Sequence, residues 1–139
     1  MESLLFITPR SWTSGTYFKS FRSYFMDSMD IQRVHLFESR NSVFKGKEGH
    51  SDDILQETMI TYGKKSKSQS RNIIIAISQN AQDLGKVKEI QVESGNCLPE
   101  GKEHYFVLPS DEEDLKVLNY MKKMPNTVEE AGFRLKRDR

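Results

Sequence analysis

The chain has 139 residues, enough for one domain or a piece of a larger one, and 36% of them are hydrophobic. Its 21 basic and 20 acidic side chains leave a net charge of +1 and a pI near 7.8, which argues against a nucleic-acid binder working through a strongly basic face. One cysteine, Cys97, excludes a disulfide framework, and with only His35, His50 and His104 beside it no metal-ligand spacing exists.

Residues 1–7 lack the basic start and cleavage site of a signal peptide, and no apolar run approaches the roughly 18 residues of a membrane span. A cytoplasmic protein without membrane contact is the expectation.

Residues 4–8 (Leu-Leu-Phe-Ile-Thr) read as a buried strand stopped by Pro9. Thr13 or Ser14 is placed to cap a helix over residues 16–26. Its Tyr17, Phe18, Phe21, Tyr24 and Phe25 recur at three- and four-residue spacing, which predicts an apolar stripe packed on a sheet, with Lys19 and Arg22 elsewhere on the helix. Residues 31–37 form a second predicted strand. A long polar loop over 38–53 follows, with Phe44 alone in it as a large aromatic.

Residues 55–62 alternate as a third strand does. The Lys/Ser stretch 63–70 reads as a solvated hairpin tip, and residues 73–78 and 86–93 as a strand pair joined by a polar loop. Residues 104–108 are a further extended run. Ser110 and Glu113 have the spacing of a capping box opening a helix with Leu115, Leu118, Met121 and Met124 as its apolar residues, which Pro125 stops. Thr127 and Glu130 form a second box over one short turn ending at Gly132, and residues 134–139 are a charged tail.

Candidate chemistry is sparse. The eight glycines contain no Gly-x-Gly-x-x-Gly and no phosphate loop, and no nucleophile stands with a supporting local motif. The acids at 111–114 suit a helix start, where the dipole favours them. Asp52-Asp53 with Gln56-Glu57 lacks the partner lysine of a metal-dependent nuclease. No catalytic residue and no metal ligand is assigned.

Three blocks carry a resemblance: Leu-Phe-Ile-Thr-Pro-Arg-Ser-Trp (5–12) with Tyr17-Phe18-Lys19 and Phe21-Arg22; Val-His-Leu-Phe-Glu-Ser-Arg (34–40) with Val43-Phe44; and Leu-Gln-Glu-Thr-Met-Ile-Thr-Tyr (55–62). Together they resemble the later part of the catalytic domain of adenine-specific DNA methyltransferases of restriction-modification systems, the Eco57I-like branch. The resemblance is good over residues 4–63 and weaker through 108–132.

It implies an α/β fold. The chain would hold part of a Rossmann-like methyltransferase sheet, its first three strands being the family's fifth, sixth and seventh, with the seventh inserted antiparallel between the other two. Residues 1–63 would be the C-terminal half of the catalytic domain, and 64–139 a trailing α+β extension leading toward a DNA-recognition region.

By the same resemblance the reaction moves a methyl group from S-adenosylmethionine to the exocyclic amino group of an adenine flipped out of double-stranded DNA. Phe44 matches the residue that packs on the flipped base. Thr8 and Pro9 would border the base pocket, and Lys47 would reach the base edge. Arg10, Lys19 and Arg22 would touch the DNA backbone, positioning rather than specifying.

The family's cofactor glycine motif and its Asn/Asp-Pro-Pro-aromatic motif have no counterpart here, so the isolated chain is expected to be inactive. Its expected partner is the missing N-terminal half of the methyltransferase, or a second copy in a self-paired oligomer that covers the open strand at residues 4–7. The rival expectation is a non-catalytic DNA-binding or protein-interaction module on the same scaffold.

Overall fold

A computed structural model describes residues 2–38, 57–79, 85 and 87–134. They form a five-stranded mixed sheet: β1 (Ser3–Pro9), β2 (Met29–Phe37), β3 (Thr58–Lys65), β4 (Asn72–Ser78) and β5 (Lys88–Glu93), in the order β1-β3-β2-β4-β5. Three helices accompany it: α1 (Lys19–Ser28), α2 (Ser94–Cys97) and α3 (Glu112–Lys122). No described helix is long and apolar enough to cross a membrane.

β3 lies between β1 and β2 and runs antiparallel to both, which is the insertion that the resemblance implies. β1 and β2 therefore point the same way. β4 joins β2 in parallel and β5 closes antiparallel on β4, so β4 and β5 pair as expected. The expected boundary at residue 63 falls inside β3, and the sheet continues beyond it without a break.

Alternation sends side chains to two faces. One row across the sheet is Phe6, Thr61, Val34, Ile75 and Ile90. On this face Trp12, Phe25, Cys97, Phe106 and Leu108 close a buried core against the sheet. Burying each such large apolar side chain contributes about 1.5–3 kcal/mol. α1 reaches this core through Phe25, α2 through Cys97 and α3 through Leu115. The opposite face carries the rows Leu5, Tyr62, Arg33, Ile74 and Ile7, Ile60, His35, Ala76.

The aromatic stripe of α1 is a correction. Phe25 is buried, but Tyr17 (99% exposed), Phe18, Phe21 and Tyr24 (74% exposed) lie at the surface. Trp12 fills the space that a second helical aromatic would take, packing on Phe6, Phe21, Phe25 and Phe106. Neither Thr13 nor Ser14 caps the helix. Thr13 Oγ1 instead donates to Arg10 O at 2.8 Å, inside the 3-10 turn Arg10–Thr13.

The Lys/Ser stretch is a second correction. Gly63, Lys64 and Lys65 belong to β3, and residues 66–71 cross the amino end of β2 to begin β4. The crossing lies at the surface but is stapled to β2. Gln69 accepts from Ile31 N at 3.1 Å and donates to Ile31 O at 2.7 Å, as a strand neighbour does, beside the bulge between Ile31 and Arg33. Ser70 gives its amide and its hydroxyl to the Asp30 carboxylate, each at 2.7 Å.

Residues 104–108 join no described strand, and His104 turns the chain with a φ of +51°. Their amides bond Thr13 O from Phe106 and Cys97 O from Val107. Asp111, not Ser110, caps α3, accepting from Asp114 N at 2.9 Å, while Asp114 accepts from Ser110 N. α3 buries no residue fully, and Met121 and Met124 are exposed. The Thr127–Glu130 box is present in both directions and ends at Gly132, whose φ of +86° suits glycine.

Candidate functional site

β1, β2 and β4 run in one direction, so their carboxyl ends share one edge of the sheet. In open α/β sheets that edge is where ligands bind. A cleft of about 170 Å³ opens there, floored by Leu36, Phe37 and Ile77 and rimmed by Arg10, Glu38, Glu57 and Ser110.

Arg10, Glu38 and Glu57 are held at strand ends. Arg10 N donates to Glu57 O at 2.7 Å, tying the end of β1 to the start of β3. Arg10 Nη1 also meets Glu57 Oε2 at 3.3 Å, with both side chains half-exposed. Glu38 N donates to Ser78 O at 3.0 Å, and the Glu38 carboxylate accepts from Gln79 Nε2. Glu38 and Glu57 are the described residues on either side of 39–56, and both stand at the cleft. The sequence signal for these two acids is their position at strand ends, flanking the loop that carries Phe44.

Thr8 and Pro9 sit at the same edge, at the end of β1. Thr8 Oγ1 accepts from Trp12 Nε1 at 2.9 Å, which pins the following turn to the strand. Phe44 and Lys47 lie outside the described residues. Lys19 opens α1 and donates to Glu103 Oε1 at 2.9 Å, a hydrogen bond that holds the Glu103 carboxyl below its usual range.

Arg22 is a correction. It is fully buried, and its guanidinium donates to the backbone carbonyls of Trp12, Gly15, Glu103 and His104 at 2.6–3.2 Å, with Tyr105 beside it. An arginine so enclosed does not reach a DNA phosphate. It falls four residues after Phe18 and three before Phe25, on the inner side of the helix, and that spacing is the signal in the sequence.

His35 lies on the sheet face opposite the core, its Nε2 2.7 Å from Ser78 Oγ and its ring against Phe37. Burial pushes its pKa down, Arg33 adds to this and Glu89 opposes it. No group of three or more potential metal ligands occurs among the described residues.

Gly15 and Gly63 offer no seat to the methyl donor that the resemblance implies. A Cβ on Gly15 would lie 2.7 Å from Ser11 O, and one on Gly63 2.9 Å from Asp30 O. Both glycines admit their own chain's backbone rather than a ligand.

No family model matches the chain. It is 26% identical over 133 residues to the Type II methyltransferase M.PstI of Providencia stuartii, spanning 95% of this chain and 25% of that one. It is 39% identical over 75 residues to the Type II methyltransferase M.BsuBI of Bacillus subtilis, spanning 54% of this chain and 14% of that one. Among solved structures, the type IIG restriction endonuclease BpuSI aligns over 66% of this chain and 12% of its own, at 13% identity and a TM-score of 0.44. A type I restriction-modification complex aligns over 92% of this chain and 23% of its own, at 8% identity and a TM-score of 0.42. The chain is thus homologous to part of the two Type II methyltransferases, a quarter or less of the length of each.

Proposed function

We propose that the chain is the later part of the catalytic domain of an adenine-specific DNA methyltransferase of a restriction-modification system. The observation that carries this reading is the similarity to M.PstI, which runs through nearly the whole chain. The antiparallel insertion of β3 between β1 and β2 agrees with it. In this reading the carboxyl edge faces double-stranded DNA. Thr8 and Pro9 border the flipped adenine, Phe44 stacks on it, and Lys47 reaches its edge. Arg10 and Lys19 face the DNA backbone and set its position.

S-adenosylmethionine supplies the methyl group in such enzymes, and the residues that hold it are not those of this chain. The chain alone therefore transfers no methyl group, and the N-terminal half of the methyltransferase completes the site. The second reading is a non-catalytic DNA-binding or interaction module on the same scaffold.

A tritiated methyl-transfer assay on adenine-containing duplex DNA separates the two. The chain is assayed alone and mixed with the product of the gene that precedes its own. Transfer only in the mixture, reduced by Phe44→Ala, supports the methyltransferase reading. Transfer by the chain alone contradicts the assignment of the cofactor site to a partner. No transfer in the mixture, with both chains folded, leaves the binding module.

A further inference from the structure

The four rim residues of the cleft are not placed alike. Glu38 and Glu57 sit where backbone bonds join strand ends, whereas Ser110 follows residues 104–108, which join no described strand. Phe106 and Leu108 sink that segment into the core. Apolar burial has no direction, so it sets the depth of the segment and leaves its alignment to polar bonds. Arg22 supplies three of them. Buried completely, it donates through Nη1 to Trp12 O and Gly15 O at 2.9 and 2.6 Å, and through Nε and Nη2 to Glu103 O and His104 O at 2.9–3.2 Å. Phe106 N extends the seam to Thr13 O at 2.9 Å. From this seam both segments lead to the rim: Thr13 Oγ1 bonds Arg10 O, and Ser110 comes four residues after Phe106.

We propose that Arg22 is the positioning residue of this cleft. It fixes the turn 10–15 and the segment 103–110 at one spacing, and so sets where Arg10 and Ser110 stand on the rim. Its bonds go to backbone carbonyls of both segments, so they act on the path of the chain rather than on one side chain. A guanidinium suits the task because its five donors lie in one plane, while a lysine offers three on a flexible stem. For what the cleft then does, the proposal rests on the methyltransferase reading: Arg22 governs the edge that meets DNA without touching DNA.

The test places spin labels at Ser11→Cys, an exposed position, and at Ser110→Cys in the full chain, with the buried Cys97 left unlabelled. The chain with Arg22 in place should give one narrow distance. Arg22→Ala should broaden it, Arg22→Lys should broaden it less, and methylguanidinium should narrow it again in Arg22→Ala. Ile90→Ala, in the core on β5 at the far side of the sheet, loses stability without touching the seam and should leave the distance as it was. Methyl transfer is the second readout, with the chain mixed with the product of the preceding gene. There Arg22→Lys should lower kcat/KM at least about tenfold beyond any loss of folded chain, since a misplacement of about 1 Å can cost about a hundredfold.

An unchanged distance in folded Arg22→Ala overturns the proposal; should that variant not fold, an unchanged distance in Arg22→Lys does so. Broadening that Ile90→Ala reproduces overturns it as well. Transfer that Arg22→Lys leaves at the parent rate also defeats the proposal and spares the methyltransferase reading. Distances that behave as expected, in a mixture where even the parent transfers no methyl group, keep Arg22 in its role and defeat that reading.

Discussion

Arg22 holds Glu103 by its backbone: Nη2 donates to Glu103 O at 2.9 Å, while the carboxylate Oε1 accepts from Lys19. One side chain thus ties the turn after β1, through Trp12 and Gly15, to the loop at 103–104. Removing it leaves several inward carbonyls without donors, each costing about 1–3 kcal/mol. Arg22→Met is expected to destabilise the chain by about 3 kcal/mol or more, with Arg22→Lys costing less. Urea unfolding measures both. A loss under 1 kcal/mol would mean that water replaces the guanidinium.

Asp30 is buried, which by itself raises a carboxyl pKa, yet the hydrogen bonds from Ser70 and Gln32, with the Lys64 charge, bring it below the ordinary value of 3.8. A depressed carboxyl favours the fold above its unfolded pKa. That contribution is whole above pH 3.8 and disappears as pH falls through the lower folded value. Asp30→Asn should cost about 1–3 kcal/mol at pH 7, and the gap to the parent should close in acid. Urea midpoints at pH 7 and pH 3 show whether it does.

Thr61 is fully buried in the row between Phe6 and Val34, and its Oγ1 has no hydrogen-bond partner among the described residues. An unmet hydroxyl in an apolar site costs about 1–3 kcal/mol. Thr61→Val keeps the shape and removes the hydroxyl, so it should raise the melting temperature. A lower melting temperature would reveal a partner for the hydroxyl in solution.

Cys97 is buried in the core, and burial pushes its thiol pKa up to about 12, Lys122 opposing only weakly. A thiol rather than a thiolate is a poor nucleophile. The folded chain should resist a thiol-specific reagent at pH 8 and react at once in denaturant. Labelling that proceeds equally in both states would place the sulfur at the surface.

Much of the sheet is legible in the sequence, because alternation and β-branched runs mark β2, β3, β4 and β5 within a few residues. Partners are less legible. The Lys/Ser stretch reads as a turn, but composition carries no information on which strands a turn connects, and here the crossing steps over β2. Residues 104–108 read as an extended run, yet two of their amides bond carbonyls at Thr13 and Cys97, a tertiary pairing that leaves no local trace.

The helix shows the same limit. Periodicity finds the aromatic side of α1 but not how much of it has something to lie on, so Tyr17, Phe21 and Tyr24 read as core. Arg22 reads as a surface charge because arginine is seldom buried without an acid beside it. At the candidate site, Thr8 and Pro9 are placed correctly at the end of β1 by the run that precedes them. Glu38 and Glu57 lie far apart in sequence and meet only through β3.

The place of β3 also orders events as the chain is made. β1 is complete at Pro9, yet its neighbour begins at Thr58, and β2, synthesised between them, borders β3 on the other side. No hairpin of adjacent strands is available to start the sheet at this end. Among the described strands, β1 with its Leu-Leu-Phe-Ile run finds its partner only once β3 is made, and until then wrong pairings compete.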